Sequence, residues 1–241
     1  MNVARQWLGS VAFTVMMFVT LPLYSLIVYV CAFGRFEVRF LAVRWWINTT
    51  LWLLRKLCRL DYVVEGFDNL PEGNCVILMK HSSAWETIAQ MQIFAKQTWV
   101  LKRELMWAPF LGWVLWLLQP IAIDRRSGGH AVQQVVKQGK AKLEEGFWVI
   151  IFPEGTRVPA GESKRYGLGG ALLATAADVP IVPVAHNAGE FWPRRGWLKK
   201  PGTIRVVIGP QIQTSGRTAR EINADAQNFI EATLQRISTP D

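Results

Sequence analysis

The stretch VILMKHSSAWETIAQ, Val76 to Gln90, runs from a short apolar segment through a polar junction into a segment that reads as a helix. Strand-like and helix-like stretches go on alternating from Asp61 onward. YVVEG, NCVILM, TWVL, PIAID, FWVIIF, VPIVPVA and TIRVVIG are short and rich in Val and Ile. Between them AWETIAQMQIFAK, HAVQQVVKQGKAKLEE and GGALLATAA carry helical patterning. This alternation predicts an α/β layer fold, a single domain over 61–241 with a central, mostly parallel sheet flanked by helices. ELMWAPFLGWVLWLLQ is a further helix, uneven around Pro109, whose Trp and Leu side chains face either lipid or the domain core. Only RSGG at 126–129 and PAGES at 159–163 resemble linkers, and there is no internal repeat or low-complexity tract.

The first 60 residues are of another kind. No charged side chain occurs from Gln6 to Gly34, and Val11 to Phe33 is almost wholly apolar, against the roughly 20 residues a helix needs to cross hydrocarbon. The run is too long for a signal-peptide core of about 7–15 residues, and no small-x-small cleavage site follows. It either spans the bilayer or, bent at Pro22, dips in and returns. In RFLAVRWWINTTLWLLRKLCRL, Arg39 to Leu60, helical spacing gathers Arg44, Asn48, Arg55 and Arg59 on one face. Val43, Ile47, Leu54 and Leu57 lie opposite, and Trp45 and Trp52 border the polar stripe. Such a helix lies in a membrane interface with its basic side to the headgroups, or packs its apolar side on the protein's own core. Residues 1–60 are therefore read as a membrane-associated helical anchor.

The 241-residue chain carries a formal net charge of +9, which suits an anionic partner surface. FWPRRGWLKKPG, Phe191 to Gly202, interleaves Lys and Arg with Trp, the mixture that anchors proteins at lipid headgroups. No RNP-like, helix-turn-helix or zinc-finger spacing supports nucleic acid as the partner. Cys31, Cys58 and Cys75 are an odd set without CxxC spacing, so neither a disulfide framework nor a structural zinc site is indicated, and they suit a reducing compartment. Arg35, Arg39 and Arg44 follow the apolar run and only Arg5 precedes it, which by the positive-inside rule leaves the rest of the chain in the cytoplasm.

Sites in open α/β sheets gather in loops at the carboxyl ends of strands, and His81 is in such a loop. Glu86, five residues on, is either the acid of a capping box begun by Ser82 or Ser83, or a carboxylate that accepts a hydrogen bond from the imidazole and fixes its tautomer. On a continuous helix the two would stand about 140° apart, so for them to meet His81 must precede the first turn and fold back over it. There is no G-x-S-x-G elbow, and neither serine reads as a nucleophile. In VIIFPEGTRVPAG, a strand ending at Phe152 leads into a tight turn, Pro153 to Arg157, where backbone N–H groups, a hydroxyl and a guanidinium can converge on an anion. Lys102 and Arg125 follow strands in the same manner. His130 reads as loop surface, His186 as a supporting residue behind the site, and GLGG lacks the spacing of a dinucleotide fingerprint.

HSSAWE and FPEGTR, about 70 residues apart on such a chain, resemble the glycerolipid acyltransferases, and most closely the bacterial 1-acyl-glycerol-3-phosphate (lysophosphatidate) acyltransferases. KRELMWAPFLGW, IAIDR and IVPVAHNAGEFWPR extend the resemblance over about residues 60–210. It implies His81 as general base, with Glu86 in the orienting position where the family pattern has aspartate, one methylene shorter. It further implies Glu154, Gly155, Thr156 and Arg157 at the acceptor phosphate, Glu154 bracing the turn, with Lys102 and Arg125 also linked to phosphate and acceptor. The implied reaction is acyl transfer from acyl-CoA or acyl carrier protein to the sn-2 hydroxyl of lysophosphatidate, with no metal or other cofactor, at the cytoplasmic side of the bacterial inner membrane. The alternatives are acylation of another lysolipid or of glycerol 3-phosphate, and, from a different class, a non-catalytic binder of anionic lipid.

Overall fold

The computed structural model describes residues 3–94 and 96–238. Every strand-like stretch of the sequence forms a strand: β1 Leu60–Glu65, β2 Val76–Met79, β3 Gln97–Lys102, β4 Ile121–Ile123, β5 Trp148–Ile151, β6 Ile181–His186 and β7 Gly202–Ile208. They make one sheet in the order β1-β7-β6-β2-β5-β3-β4. The run from β6 to β4 is parallel throughout, while β7 pairs antiparallel with β6 and parallel with β1. The mostly parallel sheet expected from the sequence is therefore present, with a reversed pair at one edge.

The helices are α1 Val3–Val30, α2 Phe36–Cys58, α3 Trp85–Ile93, α4 Leu111–Leu118, α5 Gly129–Glu144, α6 Gly169–Ala177, the short α7 Ala188–Phe191, and α8 Ala219–Ile237. The helix expected over 84–96 ends at Ile93 with Phe94 extended, and Ala95 lies outside the described residues. The stretch 104–119 divides at Pro109 into a 3-10 segment, Arg103–Trp107, and α4.

Because successive side chains of a strand point to opposite faces, a strand buried on both sides must be apolar throughout, and β2 and β6 are buried at every position. Val76, Leu78, Val149, Ile151 and Ile181 point to one face, which α5, α6 and α8 cover. Ile77, Met79, Ile150, Val182 and Val184 point to the other and share a core with Phe13 and Val28 of α1, Val43, Ile47 and Leu54 of α2, Trp85 of α3 and Val114 of α4.

The first 60 residues thus form part of a layer of the α/β fold. α1 continues unbroken through Pro22. It keeps Ser10, Phe13, Thr14, Ser25 and Val28 buried along one face and leaves Leu8, Phe18, Leu23, Leu26 and Val30 more than half exposed along the other. The helix is long and apolar enough to cross a membrane, yet it is engaged with the domain along its whole length. The chain turns at Cys31–Phe33 and α2 returns beside α1, so close that Gly9 sits against the Leu57 carbonyl, where a Cβ would come within 2.2 Å of the oxygen. Of the two placements open for Arg39 to Leu60, the apolar stripe of α2 packs on the protein's own core, while Trp45 and Trp52 remain exposed. Two of its basic residues bond to the protein: Arg44 donates to Gln92 of α3 (3.1 Å) and Arg55 pairs with Asp61 (3.0 Å).

Residues 61–241 expressed alone should accordingly aggregate, because removal of α1 and α2 uncovers one face of the sheet and the apolar sides of α3 and α4. Soluble yield and far-ultraviolet circular dichroism check this. A soluble monomer with the native secondary structure would mean that the hairpin contributes nothing to the domain core.

Candidate active site

β2 ends at Met79, and the chain passes through Lys80 to His81 before α3 begins at Trp85. His81 folds back over that first turn, and its Nδ1 lies 2.8 Å from Glu86 Oε1. Glu86 is completely buried, and it also accepts hydrogen bonds from the Ser82 N–H (3.1 Å) and the Ser83 N–H (2.9 Å to Oε1, 3.0 Å to Oε2). The capping box offered by the sequence does not form, since α3 starts from Ala84 without a side-chain cap; Glu86 instead holds the two amides that precede the helix together with the imidazole. Burial works to raise the Glu86 pKa, but the His81 hydrogen bond, the nearby imidazoles and the Ser83 N–H outweigh it and hold the group below its ordinary value. An ionised Glu86 accepts from Nδ1–H, which leaves the lone pair of His81 on Nε2.

Behind Glu86, His186 sits fully buried with Nε2 3.9 Å from Oε2. It is hydrogen-bonded at both nitrogens: Nε2–H donates to the Lys80 carbonyl (2.8 Å), and Nδ1 accepts from the Ala188 N–H (3.3 Å). Burial depresses its pKa against the pull of Glu86, and this pattern of bonds is that of a neutral imidazole.

The FPEGTR turn meets His81 through strand pairing. β2 and β5 run in register Val76↔Val149 to Leu78↔Ile151. Continued past the strand ends, this register brings His81 level with Glu154 and lays its ring on Phe152, with centroids 4.3 Å apart and planes at 24°. The His81 N–H donates to Glu154 Oε1 (3.4 Å), and the His81 carbonyl accepts from the Val158 N–H (2.8 Å). Gly155 turns the chain with φ +67°, a left-handed conformation that favours glycine.

His81, Lys102, Arg125 and Arg157 line one cavity of about 410 Å³. Its other walls are mostly apolar and include Met17, Phe18 and Leu21 of α1, Ile47 of α2, Ile88 and Met91 of α3, and Leu111 and Leu115 of α4. The three cations reach it differently. Lys102 is half exposed and paired with Glu104 (3.1 Å), Arg125 donates to the Gly155 carbonyl, and Arg157 has its Nε buried without a hydrogen-bond partner.

The remaining residues of the turn do not face this cavity. Glu154, expected at the phosphate, points its carboxylate into the protein, 3.3 Å from the buried Lys80 Nζ, which also pairs with Glu231 of α8 (2.9 Å). Burial pushes the Glu154 carboxyl up to about 7 in spite of that ammonium group. The Gly155 N–H closes the turn onto the Phe152 carbonyl, and neither Gly155 nor Thr156 lines the cavity. Sequence reading missed Lys80 and Glu231. A lysine directly after an apolar strand is a signal for the first, while nothing local marks the second. His130 lies on an exposed part of α5.

A family model described as Acyltransferase matches residues 61–187, which include His81, Glu86, Lys102, Arg125, the turn at 153–157 and His186. The chain belongs to the Acyltransferase family. It is 46% identical over 207 residues to the 1-acyl-sn-glycerol-3-phosphate acyltransferase of Pseudomonas aeruginosa, covering 85% of this chain and 80% of that one. It is 29% identical over 174 residues to the human 1-acyl-sn-glycerol-3-phosphate acyltransferase alpha, a match over 71% of this chain and 62% of the human one. The fold matches the crystal structure of the 1-acyl-sn-glycerophosphate acyltransferase PlsC from Thermotoga maritima, with a TM-score of 0.82 and 20% identity over the whole of both chains. In this acyltransferase the carboxylate that meets His81 is a glutamate, held in place by the amides of Ser82 and Ser83.

Glu86→Ala should destabilise the protein, since it strands the Ser82 and Ser83 amides at roughly 1–3 kcal/mol each. Glu86→Gln retains an acceptor oxygen and should unfold nearer to wild type while losing most activity, because an amide does not stabilise an imidazolium. Thermal unfolding in detergent, run beside turnover, separates the two effects.

Proposed function

We propose that this acyltransferase moves a fatty acyl group from a thioester donor, acyl-CoA or acyl carrier protein, to the sn-2 hydroxyl of lysophosphatidate, giving phosphatidate for phospholipid synthesis. The observation that carries this reading is the common cavity: an oriented imidazole and three cations at the head of a space walled by apolar side chains. An acyl chain suits the walls and a phosphomonoester suits the cations. Arg157 Nε, buried without a partner, is a donor that an anionic ligand would satisfy. A lipid binder without chemistry would need no such histidine–carboxylate pair, and glycerol 3-phosphate as acceptor would leave the apolar walls to the donor alone.

The chemistry requires only this chain's groups. With phosphate held by Arg157, Arg125 and Lys102, the sn-2 hydroxyl lies against His81 Nε2, which takes its proton as the oxygen attacks the thioester carbonyl. Glu86 stabilises the resulting imidazolium. Collapse of the tetrahedral adduct forms the ester, breaks the carbon–sulfur bond, and returns the proton from His81 to the departing thiolate. No acyl-enzyme forms, and no metal or redox cofactor takes part.

The exposed apolar side of α1, with Trp107, Trp113 and Trp116 exposed around the neighbouring α4, supports attachment to a membrane, which we place at the cytoplasmic face of the bacterial inner membrane. The arginines Arg35, Arg39 and Arg44 at the hairpin agree with that side.

His81→Ala should lower turnover by about 10²–10⁴ without loss of liposome flotation. A variant that keeps more than half of wild-type turnover rules out His81 as the base. Arg157→Lys keeps charge but loses the planar fork, so KM for lysophosphatidate should rise several-fold while KM for a neutral lysolipid acceptor stays put. Equal rises on both would mean that Arg157 does not read phosphate.

A further inference from the structure

The reaction brings together two anionic molecules, and the cavity accounts for one. Lys102, Arg125 and Arg157 stand inside it with His81. A phosphopantetheine donor carries its own phosphate, separated from the thioester by the length of the pantetheine arm, so a second cationic site is needed outside the cavity. The basic loop at Phe191–Gly202 lies beyond the region matched by the family model and is held beside the first site. Arg194 Nη1 donates to the Arg157 carbonyl (3.1 Å), and Arg194 and Arg195 are both exposed, with no ion pair to a carboxylate among the described residues.

A solvated basic loop needs no fixed shape, but this one is tied down on both sides of the arginines. Ser83, in the turn bound by Glu86, pairs with Pro193 as an isolated β-bridge, and its hydroxyl donates to the Trp192 carbonyl (2.6 Å). At the far side the buried Lys199 has no carboxylate partner among the described residues. Its ammonium lies over the rings of Phe13 (5.4 Å) and Trp192 (5.1 Å) and donates to Thr14 Oγ1 of α1 (2.7 Å) and the Trp197 carbonyl (2.9 Å). The Gly196 N–H closes the turn between the two ties onto the Pro193 carbonyl (3.1 Å). Arg194 and Arg195 are thereby presented from a rigid loop that is hydrogen-bonded to the carbonyl of an arginine inside the cavity.

We infer that Arg194 and Arg195 form the donor's phosphate site, binding the phosphate end of the phosphopantetheine thioester while Arg157, Arg125 and Lys102 hold the acceptor. This rests on the acyl transfer proposed above, and it assigns the inner and outer cations to different substrates. Two donor sources share the phosphopantetheine phosphate: coenzyme A, with its nucleotide beyond, and acyl carrier protein.

The test uses the full chain in phospholipid vesicles with Arg194→Gln, Arg195→Gln and the double variant, against acyl-CoA, acyl carrier protein thioester and S-acyl pantetheine, which has no phosphate. Expected is a rise of about tenfold in the KM for phosphate-bearing donors, the size of a lost charge-assisted contact. KM for lysophosphatidate and turnover of S-acyl pantetheine should stay within twofold. A loss with only one of the two phosphate-bearing donors still supports the site and names its source. The assignment is overturned if S-acyl pantetheine suffers equally, if the acceptor KM rises in place of the donor's, or if only vesicle binding weakens. Equilibrium dialysis of free coenzyme A against wild type and double variant reads the same site without turnover, and equal binding by both proteins overturns its use for coenzyme A. Absence of transfer with every donor in the wild type would instead defeat the proposed reaction.

Discussion

One buried carboxylate organises the junction on which the site is built. Glu86 takes hydrogen bonds from the imidazole of His81 and from two consecutive backbone amides, Ser82 and Ser83. Its burial would be costly if it were alone, and these donors are what make the ionised form tolerable. The same bonds fix the path of the chain from β2 into α3. That path places His81 on Phe152 and lets Ser83 bridge to Pro193, so the His81 loop, the FPEGTR turn and the basic loop are all referenced to a single side chain.

The second constraint is the shared core of the membrane-seeking helices and the sheet. α1 and α2 cover the face toward which Ile77, Met79 and Ile150 point, and the cavity opens between them and the strands. The apolar walls that suit an acyl chain are therefore built partly from a helix whose opposite side is apolar and uncovered. One side of α1 thus helps to wall the cavity while the other is left uncovered, with Phe18 at the border between them.

Much of this could be read in the sequence because its causes are local. Strands buried on both faces must be Val- and Ile-rich runs, and all of those runs became strands. His81 and Glu86 meet because a loop residue can fold over the helix turn that follows it. The C-terminal helix α8 carries local signals that sequence reading missed: Thr218 and Glu221 form a capping box at its start, and Ile222, Ala226, Ile230 and Ile237 recur at helical spacing along its buried side. The orientation of Glu154 is not legible either: FPEGTR displays a carboxylate beside groups suited to an anion, and what turns it inward is long-range, the ammonium of Lys80 and the N–H of His81. For α2 the sequence left both sides open, and tertiary packing chose the core for the apolar one.

The ion pair between Lys80 and Glu231 joins the residue preceding His81 to a partner 151 positions later. Synthesis proceeds from the N-terminus at about 5–20 residues per second, so Lys80 and Glu154 are made well before the carboxylate that completes their cluster. Until α8 docks, Lys80 lacks Glu231, and the bracing of the strand end beside His81 is completed late in folding.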